Sequence, residues 1–305
     1  MSLNPVVKHS KARQTLEGAG VRLHRAFGFG DTEQTDPFLL FDDFRGDRPD
    51  DYSAGFPWHP HRGIETVTYV LAGTVEHGDS LGNTGRLEAG SIQWMTAGSG
   101  IVHQEMPDGD EQGRMHGFQL WANLPRELKM TDPRYQDVPG SEVAVRSEDD
   151  GTIIRVLCGE FGGIEGPVDG IAAAPRYLDV SVPAGKTKSL TMDLEARAFA
   201  YIFEGAGTFR GASGPQPVPY EVEEGTVALK PVEVDNRSLV IFDSGDEVRV
   251  EAGPEGVRFL LVSGRPIREP VAWYGPIVMN TEDEIRTAFD EYRKGTFLKS
   301  RGRFV

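Results

Sequence analysis

The chain has 305 residues with a formal charge of -15, enough for two ordinary domains, since single cores stop growing near ~250 to 300 residues. So negative a field repels phosphate backbones, and no Lys/Arg stripe interrupts it, which argues against direct nucleic-acid binding. Cys158 is the single cysteine, MSLNPVVKHSKAR holds no apolar leader, and no uncharged apolar run could span a bilayer, so neither a disulfide nor secretion nor membrane insertion is expected and a reducing cytoplasm fits.

Up to about residue 125, VRLHRAFG, PFLLFDDF, ETVTYVLAG, GSIQWMTAG and GFQLWANL are short apolar runs between turn signals, and they predict strands. Within PFLLFDDF, the pair Asp42 and Asp43 either serves chemistry or makes a turn. The stretch from Leu124 to Asp150 is rich in Pro and charge, shows no sustained period, and reads as an inter-domain connection. TIIRVLCG, RYLDVSVPAG, KSLTMDL, FAYIFEGAGTF, GTVALKP, SLVIFDSG, EVRVEAG and VRFLLVSG then resume the strand pattern. TYVLAGTV at 68 to 75 aligns without gaps on AYIFEGAG at 200 to 207, which suggests an internal duplication. Near the end, Thr281 and Glu284 form a capping-box pattern. Ile285, Ala288, Phe289 and Tyr292 follow on one helical face, and Gly295 can close the helix.

The strongest chemical signal is His59-Pro60-His61, followed by His103-Gln104-Glu105. Residues i and i+2 of a strand share a face, so two such strands side by side would gather three imidazoles and one carboxylate. That mixed donor set suits a first-row transition metal, iron(II) first. His24, His77 and His116 have no ligand spacing and read as structural, although His116 could orient a ligand. Cys158, with no cation or helix start near it in sequence, also reads as structural.

HPHRGIETVTYVLAG, AGSGIVHQE, GFQLWANLP and GRPIREPVAWYGPIVMNTEDEI resemble the cupin superfamily, and more closely the pirin family, nearly from end to end. The resemblance implies an all-β bicupin, two stacked antiparallel jelly-roll barrels with a short C-terminal helix. The expected division is a metal-binding barrel over 1–135 and a metal-free barrel with the helix over 136–305. It implies one divalent metal per chain held by His59, His61, His103 and Glu105, described in the family as iron, with Mn, Co, Ni, Cu and Zn as alternatives. General cupins often use the Glu after His-x-His, here Glu65. The pirin pattern instead makes Glu65 a strand-pairing or ligand-supporting residue. Under the duplication, His59 and His61 fall opposite Thr191 and Asp193, so no second metal is expected.

Pirins are associated with quercetin 2,3-dioxygenase activity, in which O2 opens a flavonol and carbon monoxide leaves. On that reading the partners are a flavonol-like small molecule and O2, and Glu105 is the best placed base. The alternative the resemblance offers is a metal-binding regulatory protein acting through a protein partner, without important turnover. Physiological substrate, native metal, protein partner and oligomeric state are not written in the sequence.

Overall fold

Strands announced by alternation pair with antiparallel neighbours, and strands dominate the fold at 56% against 8% helix. The structure, a computed structural model, describes residues 2–169, 172–210 and 232–299. The expected strand GTVALKP (225–231) lies outside the described residues. Contacts divide the chain into two units. The C-proximal unit takes the start through Ala12, Gln34–Asp36 and Ala144–Pro266, and the N-proximal unit takes Arg13–Glu33, Pro37–Val143 and the segment from Ile267 on.

In the N-proximal unit, a seven-stranded sheet runs in the order Arg134–Val138, Ile92–Thr96, Ile64–Ala72, His116–Asn123, Phe38–Asp43, Val21–Phe27, Arg13–Glu17. A four-stranded sheet, Phe56–His61, Ile101–Asp108, Thr74–Asp79, Thr84–Leu87, packs against it. Val21, Leu23, Val70, Val75 and Leu87, drawn from both sheets, share one buried cluster. Both sheets are open strand paths and do not form a closed hydrogen-bonded cylinder. Among the described residues, the C-proximal unit holds a nine-stranded sheet built on two long strands, Arg197–Arg210 and Glu247–Gly264. Their register shifts bend the sheet around an apolar core that includes Leu178, Ala200, Ile202, Phe209, Phe259 and Leu261.

The contact division breaks the chain at Val143/Ala144, and each chain end belongs to the unit on the far side of that break. Val6–Lys11 pairs with Ser238–Phe242 and sends Val6 into the C-proximal core. The tail returns to the N-proximal unit, where the Val278 N–H donates to Arg62 O at 3.1 Å. Gly63, at φ +77°, permits this approach: a Cβ there would stand 2.0 Å from Val278 O. The buried Lys129 Nζ then ties the tail down, donating to Gly63 O, Asn123 Oδ1 and Val278 O at 2.9, 2.7 and 3.1 Å.

The helix is Glu282–Arg293, with the capping box in place: Glu284 N donates to Thr281 Oγ1 at 3.3 Å and Thr281 N to Glu284 Oε2 at 2.9 Å. Ile285 and Ala288 are buried, whereas Tyr292 is 43% exposed, so the buried stripe is narrower than the spacing predicts. Leu124–Asp150 also differs from the expected connection, since it holds the strands Arg134–Val138 and Ala144–Ser147. Arg134–Val138 is an edge strand whose partner, Ile92–Thr96, is remote in sequence, so no local period marks it.

Candidate metal centre

Phe56–His61 is the edge strand of the four-stranded sheet, which explains how it tolerates Pro57 and Pro60, neither of which has an N–H to give. It pairs with Ile101–Asp108 so that His59 lies opposite His103 and His61 opposite Ile101. Alternation brings His61 to the same face as His59, and the three rings converge with centroids 4.4 to 5.0 Å apart. His59 Nε2 stands 3.0 Å from His61 Nε2 and 3.0 Å from His103 Nε2.

Tautomers decide what that convergence means. His59 Nδ1 is 2.9 Å from Pro57 O, and His61 Nδ1 is 3.1 Å from Pro276 O. A carbonyl only accepts, so both Nδ1 atoms carry hydrogen and both Nε2 atoms present lone pairs to each other. Burial, followed by the charge of the neighbouring imidazoles, pushes His61 and His103 well below the ordinary histidine range, so protonation is a poor remedy for this repulsion. A cation among the nitrogens is a good one. With metal–nitrogen bonds of ~2.1 Å, ligands at right angles would stand ~3.0 Å apart, and the donor set fits a divalent transition metal.

The close group of donor atoms comprises His59, His61 and His103. Glu105 stands outside it, past a register shift between His103 and Glu105 on the same strand, yet lines the same cavity. Thr68 Oγ1 lies 2.8 Å from Glu105 Oε1 and 3.0 Å from Gln119 Oε1. One hydroxyl hydrogen serves the carboxylate, so the Gln119 amide must turn its NH2 toward Thr68. Burial raises the Glu105 carboxyl above its ordinary range, while His59 and the Thr68 hydrogen bond pull it down.

The cavity is about 710 Å³. His59, His61 and Glu105 line it together with Trp121, Trp273, Phe29, Phe44 and Phe56. Trp121 sets its ring edge-on to His61 at 5.0 Å, and Trp273 packs on Trp121 and Phe29.

Comparison with known proteins gives the family. The Pirin family profile matches residues 20–122, and the Pirin C-terminal cupin domain matches 177–298. A pirin-like protein of Caulobacter vibrioides is 44% identical, covering 97% of this chain and 100% of its own length. The chain belongs to the pirin family. A Pseudomonas aeruginosa protein provisionally named quercetin 2,3-dioxygenase is 40% identical over 92% of this chain and 93% of its own. The crystal structure of a quercetin 2,3-dioxygenase from Acinetobacter baumannii superposes with a TM-score of 0.82 at 28% identity, covering 97% of this chain and 98% of that one. The fold is therefore the bicupin of the pirins, and no helix among the described residues is long and apolar enough to cross a membrane.

The other residues singled out in the sequence take their own places in this pirin. Glu65 lies on the face of its strand opposite Thr68, where its carboxylate accepts from Thr96 Oγ1 at 2.7 Å, and burial pushes it up to about 7. Asp42 and Asp43 are not in a turn; both are buried on the strand Phe38–Asp43. His116 lies on the strand facing Ala72 and approaches Asp43 at 3.8 Å. His77 reads as isolated in sequence, yet sits opposite Glu105 on the next strand, stacks on Tyr135 and contacts Asp137 at 3.2 Å. His24 faces Asp43 across a strand pair. Cys158 is buried. Asp193, aligned with His61, instead faces Arg265, and Thr191 is exposed.

Sequence reasoning missed Thr68, Gln119 and the Pro276 carbonyl. Alternation in ETVTYV puts Thr66 and Thr68 on one face without saying that this face is inward, and nothing local marks a tail carbonyl.

Proposed function

We propose that this chain is a metal-dependent dioxygenase of the quercetin 2,3-dioxygenase type, opening flavonols with O2. One observation carries the reading: a cavity of about 710 Å³ is lined both by aromatic side chains and by His59, His61 and Glu105, room enough for a flat aromatic ligand that brings one edge to the metal ligands. Names and likeness among the relatives support it. His59, His61 and His103 would hold the metal, iron(II) first among the divalent candidates, with Glu105 as the fourth ligand. When bound, the metal supplies Lewis acidity toward a substrate oxygen and redox chemistry toward O2.

The chain's own groups do the rest. Trp121 and Trp273 orient the ligand plane and exclude water. Glu105 takes the proton from the flavonol 3-hydroxyl, its raised carboxyl making it a stronger base, and Thr68 fixes the carboxylate by donating to Oε1. The Pro276 carbonyl keeps His61 in the Nδ1–H tautomer.

Anaerobic loading with iron(II), or with Mn, Co, Ni, Cu or Zn, followed by quercetin and O2, should give oxygen uptake with carbon monoxide release. With metal content matched, Glu105→Gln should turn over ~10 to 100-fold more slowly, and the deficit should shrink as rising pH deprotonates the flavonol in solution. No carbon monoxide from any fully loaded form sinks the reading.

A further inference from the structure

The cavity carries a second polar group beside the metal ligands. Arg25, Asp42 and Gln119 line the same hollow as His59, His61 and Glu105, and Thr68 follows Gln119 in the strand row. Cross-strand register explains their alignment: Arg25 pairs with Asp42, Asp42 with Gln119, and Gln119 with Thr68, one row across four adjacent strands. Strands are spaced ~4.8 Å apart, so Asp42, two strands from Thr68, lies roughly 10 Å from the residue that holds Glu105. An aryl-substituted bicyclic ring spans that distance.

Arg25 fixes Asp42 bidentately, with Nε donating to Oδ1 at 2.8 Å and Nη2 to Oδ2 at 2.7 Å. Each carboxylate oxygen keeps a second lone pair, and Asp42, buried with 4% of the residue exposed, lines the cavity. Arg25 Nη1 also meets Glu17 at 2.9 Å, so the trio carries one net negative charge. This group repels a carboxylate or sulfate and favours a neutral donor. Burial pushes Asp42 up to about 6 against the pull of Arg25, which leaves it ionised and accepting at neutral pH.

We infer that Asp42, oriented by Arg25, is a specificity-determining residue that accepts a hydrogen bond from a hydroxyl on the part of the substrate remote from the metal. The ligand class is a neutral polyhydroxylated aromatic. This inference rests on the flavonol reading of the same site, and it adds what that reading leaves open: why one flavonol is preferred to another. Sites that hydrogen-bond a substrate hydroxyl reject analogues lacking it strongly, because a buried acceptor is then left unpaired.

The test compares quercetin with 3-hydroxyflavone, which keeps the 3-hydroxy-4-ketone edge but lacks every other hydroxyl. Binding is read by anaerobic difference spectra on nickel-loaded protein, and turnover by kcat/KM on iron-loaded protein. The wild type should prefer quercetin at least ~10-fold by either measure. In Asp42→Asn the quercetin to 3-hydroxyflavone ratio should fall by ~10-fold or more. The ratio is internal to each protein, so a poorly folded fraction does not distort it, and Arg25→Lys, which keeps the charge but loses the bidentate hold, should lower it part-way. Turnover with an unchanged ratio in Asp42→Asn overturns the inference and leaves the dioxygenase reading standing. A binding preference that Asp42→Asn abolishes, without turnover of either flavonol, upholds the inference and sinks that reading.

Discussion

The two units use the same strand alternation but fill their interiors differently. In the C-proximal unit, inward positions are apolar almost without exception: Leu178, Val180 and Val182 on one strand, Ala198, Ala200 and Ile202 on the next, Val248, Val250, Phe259 and Leu261 on the longest. In the N-proximal unit, equivalent inward rows carry Arg25, Asp42, Gln119 and Thr68, with His59, His61 and Glu105 of the other sheet lining the same cavity. One interior closes into a packed core. The other keeps a hollow, and its buried ionisable groups are held by hydrogen bonds at a cost in pH sensitivity. The shared frame survives in detail, since the aligned glycines Gly73 and Gly205 both take positive φ, at 74° and 69°. The difference teaches that the fold tolerates either filling, so function follows the inward residue types more than the frame.

The sharpest way to break this contrast is to remove donors from the hollow interior. His59→Ala combined with His61→Ala should cut metal content from about one per chain to near zero by elemental analysis. It should also abolish thermal stabilisation by added metal, worth ~4 kcal/mol at a concentration a thousand times Kd. Metal retained by the double variant would mean that the site lies elsewhere.

Next in size is a cavity in the packed interior. Phe209 is fully buried against Phe242 and Phe259. Phe209→Ala should cost ~3–5 kcal/mol in denaturant unfolding, while metal bound per folded chain stays at the wild-type level. A matching loss of metal affinity would show that the interiors are not separable.

The smallest effect belongs to a single buried carboxyl. Glu65 titrates at about 7 when folded, against an ordinary 4.5, because burial outweighs its hydrogen bonds. An acid raised on folding contributes stability that is whole below the unfolded value and is lost as pH rises through the folded one. Between pH 5 and pH 8, wild type should therefore lose of order 1–3 kcal/mol relative to Glu65→Gln, read as a narrowing gap in Tm. A gap that is constant with pH would place the Glu65 proton elsewhere.

Much was readable in one dimension because strand and helix periods are local. His-x-His and His-x-Glu spacings put paired donors on one face of a strand whatever the rest of the chain does. Thr281 and Glu284 cap their helix from within four residues. Tertiary structure alone decided what meets across long stretches of chain. It laid Asp42 beside Gln119 and Arg25, brought the Pro276 carbonyl to His61 from 215 residues away, and made an edge strand of Arg134–Val138, which has no period of its own. It also returned the tail to the N-proximal unit, through Lys129 and the gap that Gly63 leaves. A backbone carbonyl has no residue signature, and strand partners are chosen by the burial of whole faces; neither can be read from neighbours along the chain.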